Sequence, residues 1–77
     1  MTTCYLRIGS DTLEEAGRCH NIAQAKERFH RIAEDLARFG QTIDATLHIA
    51  NSRAELVEDA DYYLSLGPRG GLRCERC

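Results

Sequence analysis

No apolar stretch in this sequence runs beyond a few residues, so no segment is long enough to span a bilayer as a helix. The opening MTTCYLRIGS lacks the basic start and apolar core of a signal peptide, and the expected location is the cytoplasm of whatever cell makes the chain. Positive charge is not in excess either. Ten Lys and Arg against twelve Asp and Glu leave a formal charge of -2, which argues against direct binding of nucleic-acid phosphates as the main work. Low-complexity tracts, internal repeats and linkers are missing as well, so residues 1–77 read as one domain. That length is near the lower limit for a self-sufficient hydrophobic core, and a homodimer or a binding partner would supply further buried surface. In a reducing cytoplasm Cys4, Cys19, Cys74 and Cys77 are expected as free thiols rather than as a disulfide framework.

Catalytic motifs are also lacking. His20, His30 and His48 invite a search for a general base, but no Ser or Cys stands beside them in a nucleophile motif. An enzyme is therefore not expected, and no cofactor is implied. One zinc set can be written from Cys19, His20, Cys74 and Cys77. Its spacing is not that of paired zinc knuckles, because one half is an adjacent Cys-His and the other ends on the last residue. The reading adopted has no metal, with Cys74 filling core space and Cys77 exposed. The acidic run ELVEDAD carries Glu55, Glu58, Asp59 and Asp61 without the glycine and alternating ligands of a calcium loop, and reads as a hydrated connection. GPRGG is rich enough in glycine to suggest a phosphate loop, but a strand rather than a helix N-terminus follows it, so it reads as a hairpin turn.

What the chain does contain is one well-marked amphipathic helix, about residues 22–39, between strand-like segments. Asn21 is placed to cap it, Gln24 follows at the capping-box spacing, and Gly40 stands where a left-handed C-cap needs glycine. Ile22, Ala25, Phe29, Ile32, Ala33, Leu36 and Phe39 recur at three- and four-residue steps, and Lys26, Glu27, Arg31, Glu34, Asp35 and Arg38 fill the opposite arc.

Strand signals flank it. Cys4, Leu6 and Ile8 alternate with Thr3, Tyr5 and Arg7, and Ile43, Ala45, Leu47 and Ile49 alternate with Asp44, Thr46 and His48. Residues 12–20 either return as a second strand or form a short helical turn capped by Asp11 and Glu14, and the hairpin is favoured because a short connection leads to an antiparallel neighbour. Ser52 and Glu55 predict a helical turn over 53–58. Tyr62, Leu64 and Leu66, the turn at Gly67-Pro68, then Leu72 and Cys74 describe a terminal hairpin. The expected architecture is α+β, β-β-α-β-β, with one helix packed on one face of a mostly antiparallel sheet of four or five strands.

A single helix covers one sheet face, which leaves Tyr5, Arg7, Thr46, His48, Tyr63, Ser65 and Arg73 on the other. Tyrosine and arginine combine large contact area with hydrogen-bonding tips. Tyr5, Arg7, His48, Tyr63, Arg69 and Arg73 are therefore the candidate partner-binding residues, the two arginines adding positive charge along the last hairpin. An aromatic face could also stack single-stranded bases, which keeps a small nucleic-acid-binding or regulatory protein of a mobile element as the alternative.

The runs YLRIGSDTLEEAG, GQTIDATLHIA and LSLGPRGG, set around the helix, resemble a family of small proteins carried in alphaproteobacterial prophages and mobile elements, over nearly the whole chain. Within that setting the sequence is similar to small anti-CRISPR proteins directed at type I systems. The resemblance implies a phage-derived, non-enzymatic inhibitor that binds a Cas protein or the assembled CRISPR surveillance complex and blocks target DNA binding. Anti-CRISPR proteins share no common motif, so it transfers no individual residue.

Overall fold

The alternation at the start of the chain becomes a strand, β1 (Thr3–Ile8), in the computed structural model, which describes residues 3–69 and 71–77. Both readings of residues 12–20 are realised in succession: a 3-10 turn at Leu13–Glu15, then a short strand β2 (Gly17–Cys19). The turn starts one residue later than expected, with the Glu15 carboxylate accepting from the Thr12 amide at 3.1 Å and hydroxyl at 3.0 Å. Helix α1 (Ile22–Ala37) follows, then β3 (Ile43–Ala50), a second 3-10 turn at Arg53–Glu55, β4 (Tyr62–Leu66) and β5 (Leu72–Arg76). The order is β-β-α-β-β-β, one strand more than the expected β-β-α-β-β, because β2 and both strands of the last hairpin all form. All strand pairs are antiparallel, and the sheet order is β2-β1-β3-β4-β5.

The helix starts where its cap chemistry places it. The Asn21 side chain accepts from the Gln24 amide at 2.8 Å, and the Gln24 side chain reaches back to the His20 amide at 2.7 Å, satisfying two N–H groups. At the other end Phe39 and Gly40 amides bond to Leu36 and Ala37 carbonyls, and Gly40 takes φ +81°, open to glycine at little cost.

The core is one layer between helix and sheet. Ala25, Phe29 and Ala33 on α1 meet Cys4, Leu6, Cys19, Ile43, Ala45, Leu47, Leu64 and Leu66 from the strands. Within the helix the buried positions, Ala25, Phe29, Ala33 and Ala37, form a single row at four-residue steps. Three alanines let the backbone approach the sheet closely, so one large side chain, Phe29, fills the space between them. A helix seated so low presents a narrow stripe. Ile32, Leu36 and Phe39, which the wheel places on the apolar arc, stay 40%, 42% and 80% exposed.

The turn at Gly67–Gly71 includes Gly70, which lies outside the described residues; Gly71 takes φ +90°. No helix among the described residues is long and apolar enough to cross a membrane.

Candidate functional site

The face of the sheet away from the helix is not open over its first strands. From β1 and β3 it presents Tyr5, Arg7, Thr46 and His48, Tyr5 standing directly opposite His48 and Arg7 opposite Thr46. The connections before β2 and after β3 meet over β1. Arg53 in the second 3-10 turn donates to the carbonyls of Leu13, Glu14 and Ala16 at 3.3, 2.8 and 2.8 Å, closing the carbonyl end of the first turn. Its guanidinium lies 5.2 Å from the centroid of the Tyr5 ring. Tyr5 is thereby left 4% exposed and His48 2%.

Two of the expected partner residues are out of solvent. Tyr5 and His48 lie on the predicted face, but the chain's own loops bury them. Arg7 is also engaged: its Nε donates to Thr46 Oγ1 at 3.2 Å and its Nη1 to Glu58 Oε2 at 3.0 Å. Thr46 Oγ1 in turn stands 2.9 Å from His48 Nε2. The hydroxyl oxygen thus links Arg7 to the imidazole, and Nδ1 on the far side of the ring is buried without a hydrogen-bond partner among the described residues. The missed signal was arginine itself, since Arg53 in a loop predicted to be hydrated has five donors to tie down other backbone.

The acidic run is likewise structural in part. Glu58 pairs with Arg7, Asp61 accepts from the Ile49 amide at 2.7 Å, and Glu55 accepts from the Asn51 amide at 3.2 Å.

Tyr63, Arg69 and Arg73 are exposed. Tyr63 retains 40% of its surface, and a hydrogen bond to the Asp44 carboxylate, ahead of burial and the charges of Asp44 and Glu75, raises its phenol pKa above the ordinary value. Of the six predicted contacts, the last hairpin region keeps three accessible. Accessible apolar side chains elsewhere are Ile49 at the end of β3, Val57 in the β3–β4 connection, and Ile32, Leu36 and Phe39 on α1 and just past its end. The last three are spaced four and three residues apart along one side, bordered by Arg28, Arg31 and Asp35.

Sheet order dismantles the zinc set. Cys19 and His20 belong to the β2 edge, Cys74 and Cys77 to the β5 edge. Four strand spacings of about 4.8 Å separate those edges by about 19 Å. Among the described residues no three His, Cys, Asp or Glu side chains converge to hold a metal ion.

Compared with protein-family models, curated proteins and solved structures, the chain matches none.

The four thiols do not form an obvious reactive pair with a base. Cys4 and Cys19 face each other across β1 and β2 and are buried; Cys74 is half-buried and Cys77 exposed. Burial raises the pKa of both Cys4 and Cys19, so neither is an activated nucleophile. Titration of the folded protein with a disulfide reagent is expected to modify Cys77 first and Cys74 more slowly, with Cys4 and Cys19 reacting only on denaturant unfolding. Rapid modification of all four in buffer would show that β2 does not hold its place.

Proposed function

We propose that this protein is a non-enzymatic inhibitor that acts by docking on another protein, and that its target is a subunit of a type I CRISPR surveillance complex in the host cytoplasm. The observation that carries the docking is the helix flank. Phe39, just beyond the C-terminal end of α1, is 80% exposed, and Ile32 and Leu36 on the helix are 40% and 42% exposed, so three apolar side chains spaced four and three residues apart reach solvent. An aromatic anchor flanked by aliphatic contacts and a charged border has the anatomy of a binding hot spot. The target class comes from the sequence resemblance described above.

The docking surface in this reading is displaced from the outer sheet face to the helix, with Tyr63 and Arg69 as contacts only for a partner large enough to reach both sides. Blocking target DNA requires occlusion alone: an interface of about 800 Å² per partner is a large share of so small a surface. The nucleic-acid alternative draws less support, because Tyr5, one of two aromatic side chains aligned on the sheet face for base stacking, is under Arg53.

The deciding experiment is co-purification of the tagged protein with type I surveillance complexes, followed by a target-DNA gel shift with the complex retained. Retention with loss of DNA binding is the expected result. Phe39→Asp, at a site with almost no packing to lose, is expected to weaken retention at least tenfold while leaving the circular dichroism spectrum unchanged. Full retention of Phe39→Asp would move the interface to the β4–β5 hairpin, and retention by no complex would refute the target class.

A further inference from the structure

The β5 edge carries a pattern that fits itself. Cys77 N–H donates to the Asp61 carbonyl at 3.0 Å, one step beyond the pair Tyr62 and Arg76 in the same register. The Asp61 carbonyl thus points toward β5, although its N–H turns to the Leu47 carbonyl at 2.9 Å, and positions whose backbone groups face β5 recur at every second residue of an antiparallel ladder. Tyr63 with Glu75 and Ser65 with Arg73 are the next two. The backbone groups of Arg73 and Glu75 therefore point into the sheet toward β4, whereas those of Leu72, Cys74 and Arg76 point away from it. As β5 is the last strand of the sheet, these outward groups have no strand beside them.

We infer that this edge pairs with β5 of a second copy of the chain, antiparallel about a two-fold axis at Cys74. Outward groups can meet outward groups only if Leu72, Cys74 and Arg76 face members of the same set, which restricts the symmetric registers that pair more than one of these residues to axes at Arg73, Cys74 or Glu75. An axis at Arg73 sets arginine against arginine, and one at Glu75 sets glutamate against glutamate. The axis at Cys74 alone places Arg73 opposite Glu75 of the second copy, and Glu75 opposite Arg73 of the second copy. Opposite charges facing across strands favour pairing and like charges oppose it. The same register gives the longest overlap, all five residues of the strand, with about six backbone hydrogen bonds.

The side chains on the helix side agree with this choice. Leu72 and Cys74 are only half-buried against the core, at the rim of the area the helix covers. In the pair Cys74 faces its own copy, and Leu72 lies under the methylene stem of Arg76 from the second copy, which keeps its guanidinium in water. The two sheets join into one of ten strands, and one of the two exposed edges of each monomer disappears.

Charge exchange tests the register. Sedimentation over a concentration series, with reductant present to prevent a Cys74 or Cys77 disulfide, is expected to show a monomer–dimer equilibrium for the native chain. Arg73→Glu alone and Glu75→Arg alone each create like-charge pairs and are expected to raise the dimer dissociation constant about tenfold. Arg73→Glu combined with Glu75→Arg restores opposite charges and is expected to return it to within a few-fold of the native value. A native chain monomeric at millimolar concentration, a dimer indifferent to either single change, or a double variant no better than the singles overturns the proposal. None of these outcomes bears on docking through Phe39, which uses other residues.

Discussion

Phe29→Ala is expected to remove most of the stability of this domain. Phe29 is fully buried, and as the one large side chain in the helix's inward row it occupies the gap that Ala25 and Ala33 leave beneath them. Truncating a buried phenylalanine costs about 3–5 kcal/mol, part of it the lost transfer energy and part the cavity left behind. A chain of this length has about 4–12 kcal/mol in total. Neighbouring alanines cannot extend into the void, and Leu47 and Leu64 are held by strand pairing on both sides, so relaxation will recover little. Urea unfolding followed by far-ultraviolet circular dichroism is expected to show a midpoint lowered by about 2–4 M relative to the native chain. Phe29→Leu, which keeps most of the volume, should lose about 1–1.5 kcal/mol. A loss below 1 kcal/mol in Phe29→Ala would mean that the helix is not seated on the sheet through this residue.

Arg53→Ala is expected to uncover the outer face without dislodging the helix. Three carbonyl contacts and the face of Tyr5 depend on one guanidinium. Hydrogen bonds from a charged donor contribute about 1.5–3 kcal/mol when buried, and less here because the two contacts to the first turn are exposed. Stacking of the cation on Tyr5 adds about 0.5–1 kcal/mol. We expect a net loss of about 2 kcal/mol and a melting temperature lower by about 10 °C. Arg53→Lys should rescue little of it, because one ammonium cannot span three carbonyls in the geometry of the planar fork. Arg69→Ala, exposed and remote from these contacts, should fall within about 0.5 kcal/mol of the native chain. If Arg53→Ala were as stable as Arg69→Ala, the two connections would have to be held over β1 by something other than this side chain.

Local chemistry was readable wherever it was carried by neighbours in sequence. The Asn21 cap, the Gly40 stop, the inward alternation of Thr3–Ile8 and Ile43–Ala50 and the closing hairpin all depend on residues within a turn or a strand of one another. Even the ambiguity over residues 12–20 was informative, since the cap signal and the strand signal were both real and occupied successive stretches. The candidate site was less readable. Tyr5, Arg7 and His48 do point away from the helix, as alternation requires, yet Tyr5 is covered by Arg53, 48 residues away in sequence, and Arg7 is held by Glu58, 51 residues away. Periodicity gives a side chain's direction and says nothing of what lies above it.

The helix illustrates the same division. Its hydrophobic arc was visible as a set of seven residues, but the depth at which a helix sits follows from how alanines meet the particular strands beneath them. That depth made Phe29 the keystone and left Ile32, Leu36 and Phe39 to solvent. By itself, then, the sequence determined the kinds of element, their caps and their inward faces, because these follow from short-range backbone and hydrophobic preferences. Tertiary structure alone decided the strand order, which sets Cys19 and Cys74 on opposite edges, the loop cover over Tyr5 and His48, and the exposed flank of the helix. Each of these depends on contacts between residues far apart in the chain, for which local periodicity carries no information.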